Sequence, residues 1–341
     1  MLRTFAAAAA LLVLASGAQA AGTKSVADWT GVCSNIGHCA AFGFAAEAAD
    51  TDAYLRVDRA AGPTAAPGVL IALDPADTQP NATWTLTLDG RPVAGVGPVK
   101  AVGSDSGARA RLTGPPAMAL IEALRNGKSL AILAGGKPVA TVSLTGSAAV
   151  LLWVDDQQGR VGTLTALARP GPKPASAVPP APPTPLITPA PAVSQAGLPK
   201  AAPKSLTKGE IGCDPIDTPE DIVARLAPGV VLWGPECETG PYNEVSLFFL
   251  GDEHAGHLKR VSFVDTRGPG QASDELMNAS YDPKTRTLSM FAKARGLGDC
   301  GETAAWVWDG KSFRLLWERD MPACRGASPD DWRALYEARA R

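Results

Sequence analysis

Cysteine and histidine often supply the nucleophiles and metal ligands of proteins, and this 341-residue chain contains few of them. Its six cysteines and three histidines are Cys33, Cys39, Cys213, Cys237, Cys300, Cys324, His38, His254 and His257. No two cysteines have the CxxC spacing of a zinc site, and no GxSxG sequence is present to hold a nucleophilic serine on a sharp turn. Enzyme status is therefore uncertain, and this inventory favours a protein with no catalytic residue, metal or other cofactor.

The densest group of potential metal ligands is the segment 252–257, in which Asp252 and Glu253 precede His254 and His257. Two histidines three residues apart converge on one metal only from a helix or a defined turn, and the glycine between them favours neither. We therefore interpret this segment as a polar loop between two strands, with a metal site as the alternative.

The start of the chain has the pattern of an export signal. Arg3, an apolar run over residues 6–15 and the sequence Ala18-Gln19-Ala20 predict a signal peptide over residues 1–20. The apolar run is shorter than the roughly 20 residues that span a membrane, so no stable membrane span is expected after cleavage. The expected location is the bacterial periplasm, with secretion as the alternative.

An even number of cysteines in an exported chain predicts disulfide bonds. Six cysteines allow 15 pairings in principle, and their positions favour the sequential one. The predicted pairs are Cys33–Cys39, Cys213–Cys237 and Cys300–Cys324.

A proline-rich segment divides the chain. Twelve prolines lie between residues 170 and 203, together with many alanines and few large apolar side chains. Such a segment has little to bury and favours polyproline II conformation. We predict that residues 170–208 form a disordered linker between an N-terminal domain, residues 21–169, and a disulfide-stapled C-terminal domain, residues 209–341.

Alternating apolar and polar residues predict a mainly β protein. The expected architecture is an N-terminal sandwich or barrel with two short helices, followed by a C-terminal antiparallel meander. The predicted N-terminal strands are residues 54–59, 69–73, 83–88, 130–133 and 139–144, and the helices are residues 117–125 and 148–156. The predicted C-terminal elements are a helix over residues 222–226, begun at Thr218 and ended at Pro228-Gly229, and strands at residues 230–233, 244–250, 258–264, 276–280, 287–291, 303–308 and 312–318.

One candidate binding surface is the densest polar cluster of the N-terminal half. It contains Asp155, Asp156 and Arg160, at the end of the second predicted helix. The alternative is that this cluster is only the solvated end of a helix.

A second candidate surface is aromatic. Trp306 and Trp308 lie on one face of a predicted strand, and Trp317 lies on its hairpin partner. Exposed indoles at such positions bind sugars or peptides, whereas buried ones fill the core, which is the alternative.

The formal charge of the chain is −2, which is a poor match for nucleic acid. The function that we expect is non-enzymatic binding of an envelope protein or a glycan. One alternative is an envelope hydrolase that uses paired carboxylates. Another is an inhibitor whose disulfide-bounded loop at residues 296–301 blocks a secreted hydrolase. The sequence leaves the oligomeric state open.

Residues 291–301, 306–315 and 321–326 closely resemble the family catalogued as domain of unknown function 1176, and residues 155–167 are similar to the same family. The resemblance extends over nearly the whole mature chain. It implies an exported bacterial protein of about this length with six shared cysteines, and it implies no activity.

Residues 121–142 and 144–149 are more distantly similar to invasion-associated locus B proteins. That resemblance implies a small exported all-β module of the cell envelope. It favours the binding hypothesis and assigns no site.

Overall fold

The computed structural model describes residues 21–47, 51–73, 81–104, 107–203, 206, 216 and 220–341. The predicted signal peptide, Cys213 and Thr218 lie outside these residues. Within them the protein is mainly β, as predicted, and it is built from several antiparallel sheets that do not close into a barrel.

Two sheets and two helices form the N-terminal half. The strands are β1 (Gly22–Val26), β2 (Trp29–Cys33), β3 (Cys39–Phe44), β4 (Ala53–Arg59), β5 (Gly68–Leu73), β6 (Thr83–Leu88), β7 (Arg91–Pro92), β8 (Val99–Lys100), β9 (Val102–Ser104), β10 (Gly107–Leu112), β11 (Ser129–Ala134) and β12 (Lys137–Ser143). The helices are α1 (Gly114–Leu124) and α2 (Ser147–Gln157). One sheet has the order β1-β2-β3-β4-β5-β10-β9, and the other has the order β12-β11-β6-β7 with β8 also beside β6.

Both predicted helices are present. Helix α1 buries Leu120, Ile121 and Leu124 in the N-terminal core. Ser147 is the first residue of α2 rather than its N-cap, and its hydroxyl donates a hydrogen bond of 2.7 Å to the Leu124 carbonyl. That bond ties the start of α2 to the end of α1. In the described part of the chain, no helix is both long and apolar enough to cross a membrane.

Strands β3, β4 and β5 of the larger sheet are buried on both faces, which explains the nearly continuous apolar sequences of β3 and β5. One face packs in the N-terminal core. The other face presents Phe42, Phe44 and Tyr54, which Met321 and Trp332 of the C-terminal half cover. The two halves therefore share a small apolar core.

The remaining strands follow the second helix. They are β13 (Leu186–Ile187), β14 (Ile222–Ala227), β15 (Val230–Gly234), β16 (Glu236–Thr239), β17 (Glu244–Leu247), β18 (Phe249–Gly251), β19 (Lys259–Arg260), β20 (Glu275–Met277), β21 (Ser280–Asp282), β22 (Thr287–Lys293), β23 (Gly301–Trp308), β24 (Phe313–Met321), β25 (Ala334–Glu337) and β26 (Arg339–Ala340). They form sheets in the orders β14-β15-β18-β19, β16-β17-β20 and β21-β22-β23-β24-β25.

The five-stranded sheet is the predicted antiparallel meander, because its strands pair in chain order. The predicted turn at Asp309-Gly310 joins β23 to β24, and Gly310 has a positive φ of 98°. A glycine tolerates this conformation at little cost.

The predicted helix over residues 222–226 is wrong, because these residues form strand β14. Pro228-Gly229, which we interpreted as a helix end, is the turn of a hairpin in which Ala227 pairs with Val230. Proline followed by glycine at a positive φ (here 71°) suits a tight turn. The β-branched Ile222 and Val223 favour the strand as well.

Three predicted C-terminal strands are shorter or interrupted. The strand predicted over residues 244–250 is divided at Phe248 into β17 and β18, which belong to different sheets. The strand predicted over residues 276–280 is divided into β20 and β21 at Asn278, whose φ of 44° is incompatible with a continuous strand. Of residues 258–264, only β19 (Lys259–Arg260) is a regular strand.

The proline-rich segment makes backbone contacts with both halves. Strand β13 pairs in parallel with β26, and the Ala190 amide donates to the Trp308 carbonyl at 2.8 Å. On the N-terminal side, the Lys173 amide donates to the Gly162 carbonyl at 3.1 Å. Proline lacks a donor but keeps its carbonyl, and Pro185 accepts from a C-terminal amide. These contacts differ from the packing-free linker that the composition predicts, and the division into two domains stays a prediction.

Two of the predicted disulfides are confirmed. Cys33–Cys39 joins the adjoining ends of β2 and β3, and Cys300–Cys324 links the start of β23 to the segment after β24. Cys237 is also disulfide-bonded. Its expected partner, Cys213, lies outside the described residues, so that pairing stays a prediction.

Candidate functional site

The polar cluster selected from the sequence lies mostly in the interior. Asp155 is fully buried, and its carboxylate accepts hydrogen bonds of 2.7 Å from the amides of Leu167 and Ala168. Arg160 is also fully buried and donates to the side chain of Gln158 at 3.0 Å. These two residues hold the segment after α2 in place rather than facing a partner, whereas Asp156 is exposed.

The selected tryptophans divide between core and surface. Trp306 and Trp308 are 1% and 4% exposed and pack in the C-terminal core. The Trp306 indole donates to the Val264 carbonyl at 2.8 Å, which satisfies its polar atom inside the protein. Trp317 is partly exposed, and the guanidinium of Arg319 lies over its ring at 4.8 Å from the centroid.

The two halves are joined at Asp331, which lies in a short 3-10 turn before β25. One carboxylate oxygen accepts from the Tyr54 hydroxyl at 2.6 Å and from Arg109 at 2.7 Å, and the other accepts from Arg56 at 3.1 Å. Burial would raise the pKa of Asp331, but these hydrogen bonds and the charges of Arg56 and Arg109 outweigh it and lower the pKa. Asp331 is therefore an ionised carboxylate with a full set of donors from the other half.

A polar cleft of about 360 Å³ lies beside this junction. Charged side chains from both halves line it: His38, Asp58, Arg59, Arg319, Asp330, Arg333 and Glu337. Its volume falls in the range of roughly 300–1,000 Å³ that is usual for small-ligand pockets.

Two contacts cross the cleft and fix its width. Arg333 donates to Asp58 at 2.5 Å, and the Nδ1 atom of His38 lies 3.4 Å from a carboxylate oxygen of Glu337. The hydrogen bond from His38 lowers the pKa of Glu337 despite its partial burial. The carboxylates of Asp58 and Glu337 are thus held by partners in the opposite half.

Arg319 is the exception among these side chains. It is partly buried, yet in the described part of the chain its guanidinium makes no hydrogen bond and no ion pair within 4 Å. Burial and the nearby positive charge of Arg333 lower the pKa of Arg319. The negative charges of Asp330 and Glu337 oppose this effect without forming an ion pair with Arg319. A partly buried charge without a hydrogen-bonding partner is costly, and such groups are often found where a ligand binds.

Little of this cleft could be predicted from the sequence. Cys39, selected as a disulfide cysteine, lines the cleft, and the ring of Trp317 lies under the guanidinium of Arg319. Arg333 and Asp58 were not predicted, because they lie 275 residues apart in the chain and meet only in the folded protein.

A second group of titratable side chains lies on the meander. Glu302 and Asp320 are directly opposite each other on β23 and β24, and Glu318 lies on the same strand as Asp320. The loop that carries Asp265 and Arg267 packs against them. Burial and the charge of Glu318 raise the pKa of Glu302 to about 7, and its Oε1 atom is buried with no hydrogen-bond partner in the part of the chain that the structure describes.

The segment with two histidines has the loop conformation that we expected. The Asp252 carboxylate accepts hydrogen bonds from the amides of His254 and Gly256 at 2.9 and 2.8 Å, which closes the turn. Across the described ranges, no group of three or more histidine, cysteine or acidic residues is placed to hold a metal ion.

Comparison with known proteins agrees with the resemblance seen in the sequence. The model of the family described as "Protein of unknown function (DUF1176)" matches residues 23–339. The chain belongs to the DUF1176 family. This DUF1176 protein is also 30% identical to "Uncharacterized protein YpfG" of Escherichia coli (strain K12), over 93% of each chain. No solved structure matches it.

Proposed function

We propose that this DUF1176 protein is exported to the bacterial periplasm and binds an envelope protein or glycan without chemical turnover. The observation that supports this most strongly is the polar cleft between the halves, in which the guanidinium of Arg319 has no hydrogen-bonding partner among the described residues. The disulfides Cys33–Cys39 and Cys300–Cys324 are compatible with an oxidising compartment.

The side chains of the cleft favour binding over catalysis. Asp58 and Glu337 are engaged by Arg333 and His38, so neither carboxylate is poised as a base or a nucleophile. The side chain of Arg59 donates to backbone carbonyls, among them that of Ala65. A rigid set of donors and acceptors of this kind recognises a polar ligand.

The proposal is tested by filling the cleft without changing its charge. Ala66 is exposed and lines the cleft, so Ala66→Trp should block it. The mature chain, residues 21–341, serves as bait for periplasmic extract and for isolated peptidoglycan. We expect saturable capture that Ala66→Trp abolishes and that Ala148→Trp, an exposed substitution on α2, leaves intact.

Equal capture by both tryptophan variants would move the binding site away from the cleft. The absence of saturable capture by the unaltered chain would contradict the binding function. Thermal unfolding of each variant establishes that the added indole leaves the fold intact.

A carboxylate-based hydrolase is the second candidate, and Glu302 supports it. A carboxyl group with a pKa of about 7, beside Glu318 and Asp320, resembles the general acid of a glycosidase. Release of soluble fragments from peptidoglycan by the unaltered chain, lost in Glu302→Gln, would favour this candidate over the first. Binding with no released fragment would exclude peptidoglycan hydrolysis.

A further inference from the structure

We propose that the cleft takes a saccharide that carries a carboxylate, and that Arg319 is the guanidinium that pairs with this carboxylate. The inference rests on the proposed binding function and names the chemical class of its ligand. It is argued from the charges that surround Arg319, from the way its guanidinium is held, and from the size and lining of the cleft.

The charges leave a place for one anion. Asp58 is shared between Arg333 and the fully buried Arg56, at 2.5 and 2.8 Å, so one carboxylate serves two guanidinium groups. Arg319 lies close enough to Arg333 to be affected by its charge. A carboxylate beside Arg319 would supply the partner it lacks and would reduce the repulsion between the two arginines.

The guanidinium of Arg319 lies over the Trp317 ring, 4.8 Å from its centroid, and both side chains project from the same strand, β24. A contact of this kind restricts the side chain without using its N–H donors, which can then make the two parallel hydrogen bonds that carboxylates accept. Trp317 is therefore a positioning residue for Arg319.

The rest of the lining suits sugar hydroxyls better than a protein. Hydroxyl groups both donate and accept, and the cleft offers donors beside the acceptors Asp330 and Glu337. A cleft of about 360 Å³ has the volume of a small-ligand pocket, roughly 300–1,000 Å³, whereas a folded protein docks on a broad surface of about 1,200 Å² or more. An apolar peptide side chain would need an apolar pocket, whereas the Trp332 indole in the lining is only 2% exposed.

The acidic residues of the cleft also limit the charge of the ligand. Asp330 is exposed at the rim, and Glu337 lies within the lining. A single carboxylate can approach Arg319, but a group with several negative charges would be repelled. The structure therefore favours a singly charged acidic sugar over a phosphorylated one.

The test is isothermal titration calorimetry of the full mature chain with three disaccharides. N-acetylglucosaminyl-N-acetylmuramic acid carries one carboxylate, and N,N′-diacetylchitobiose has the same sugar backbone without it. Cellobiouronic acid, which is glucuronosyl-glucose, carries one carboxylate of uronic-acid origin, so the two acidic probes separate the sources of the carboxylate. We expect at least tenfold tighter binding of one acidic probe than of diacetylchitobiose, with affinity for that probe falling as salt is added.

Substitution of Arg319 then identifies the contact. Arg319→Gln should bring the affinity for the acidic probe down to that for diacetylchitobiose, and Arg319→Lys should restore part of the difference. Arg314→Gln is the matched control, because Arg314 is on the same strand, is 60% exposed and does not line the cleft. It should bind the probes as the unaltered chain does.

The failures are distinguishable. Equal affinity for the acidic and neutral probes would overturn the carboxylate assignment, and so would unchanged affinities for the three probes in Arg319→Gln. If Ala66→Trp still abolishes binding in either case, the binding function of the cleft stands. Binding of none of the three probes, together with capture of an envelope protein that Ala66→Trp prevents, would overturn the saccharide class and leave the binding function. Binding that Ala66→Trp leaves unaltered would contradict the cleft itself.

Discussion

Asp331 and Glu302 are both carboxyl groups that the C-terminal half carries into the interior, and their surroundings are opposite. Asp331 is surrounded by Tyr54, Arg56 and Arg109, which are supplied by the other half of the chain. Glu302 faces other acidic groups from its own sheet and loop, and its Oε1 atom has no hydrogen-bond partner in the described residues. The pKa of Asp331 is accordingly lowered, and that of Glu302 is raised to about 7.

The difference separates two uses of a buried carboxyl group. A compensated carboxylate specifies which surfaces meet, because each of its donors is left unpaired if the halves separate. An uncompensated one changes its charge near neutral pH and makes the local structure sensitive to protons. We therefore expect substitutions at Asp331 to act through the junction of the halves, and those at Glu302 to act through pH.

The largest loss in the free energy of unfolding is expected from Asp331→Ala. The change removes the acceptor of the Tyr54 hydroxyl and one acceptor of the buried Arg56 guanidinium, which keeps Asp58, and it breaks the ion pair between Arg109 and Asp331. Breaking a buried pair from one side costs about 3–5 kcal/mol. Urea unfolding of the mature chain should show a loss of this size.

The adjacent Asp330 is the control for this substitution. It is exposed, and Asp330→Ala should change the free energy of unfolding by less than about 0.5 kcal/mol. Equal losses for the two alanine variants would mean that the contacts of Asp331 are not what stabilises the junction.

The second-largest loss of stability is expected from removal of the Cys300–Cys324 disulfide, which connects the strand of Glu302 to the segment of Asp331. Cys300 immediately precedes the strand with Glu302, and Cys324 leads into the segment with Asp331. The bond closes a loop with a sequence separation of 24, for which the loss of chain entropy is worth about 3 kcal/mol. Replacing both cysteines by alanine should lower the midpoint of thermal unfolding by several degrees.

The shorter disulfide provides the comparison. Cys33–Cys39 has a sequence separation of 6, so its removal should cost less chain entropy. Reducing agent, which breaks these two bonds and the one formed by Cys237, should lower the melting temperature by many degrees. An unchanged melting curve after thiol counting has verified complete reduction would contradict the stabilising role of the disulfides.

The third effect concerns pH and Glu302. Because the pKa of Glu302 is raised from 4.5 to about 7, the folded state binds more protons than the unfolded state between these values. Stability should therefore fall as the pH rises from 4.5 to 7. Glu302→Gln cannot titrate, so it should flatten this dependence and stabilise the protein above pH 7 by about 1 kcal/mol, a value reduced by partial exposure.

The neighbours of Glu302 define what this experiment isolates. Glu318 and Asp320 face it from β24, and Asp265 and Arg267 face it from the packed loop. The pKa values of Glu318 and Asp320 are also raised, mainly by burial, and their contributions persist in Glu302→Gln. An identical pH dependence of urea unfolding in the two proteins would show that Glu302 titrates normally.

Local patterns predicted local structure well. The turn at Asp309-Gly310 and the helix that became α1 depend on neighbouring residues, and both were recovered. The helix over residues 222–226 was wrongly predicted from Pro228-Gly229. The same pair of residues can end a helix or form a hairpin turn, and only strand pairing decides between them.

The junction and the cleft were outside the reach of such patterns. Asp331 meets Tyr54 and Arg56 across 277 and 275 residues, and nothing in the sequence specifies that approach. One signal was available: Arg56 is a charged residue between the apolar Leu55 and Val57 in strand β4, which implies a buried partner. Its position did not reveal which acidic residue that partner would be.

The smallest change in stability is expected from Thr266→Val. This change removes a hydrogen bond to Glu318 and so makes its surroundings more like those of Glu302. The Thr266 hydroxyl and amide donate to the two oxygens of Glu318 at 2.6 and 2.8 Å, and these bonds oppose the effect of burial on its pKa. Loss of the hydroxyl should cost about 1 kcal/mol and raise the pKa of Glu318 further. Stability should then fall more steeply as the pH rises.

Thr285→Val is the matched control, because the Thr285 hydroxyl donates to Asp282 at 2.9 Å in an exposed turn where water can replace it. It should leave the pH dependence between pH 4.5 and 7 unchanged, because the lowered pKa of Asp282 lies below that range. If Thr266→Val and Thr285→Val had the same pH dependence, the hydrogen bonds from Thr266 would not oppose the effect of burial on Glu318, and burial alone would have to explain the raised pKa values of Glu318 and Glu302.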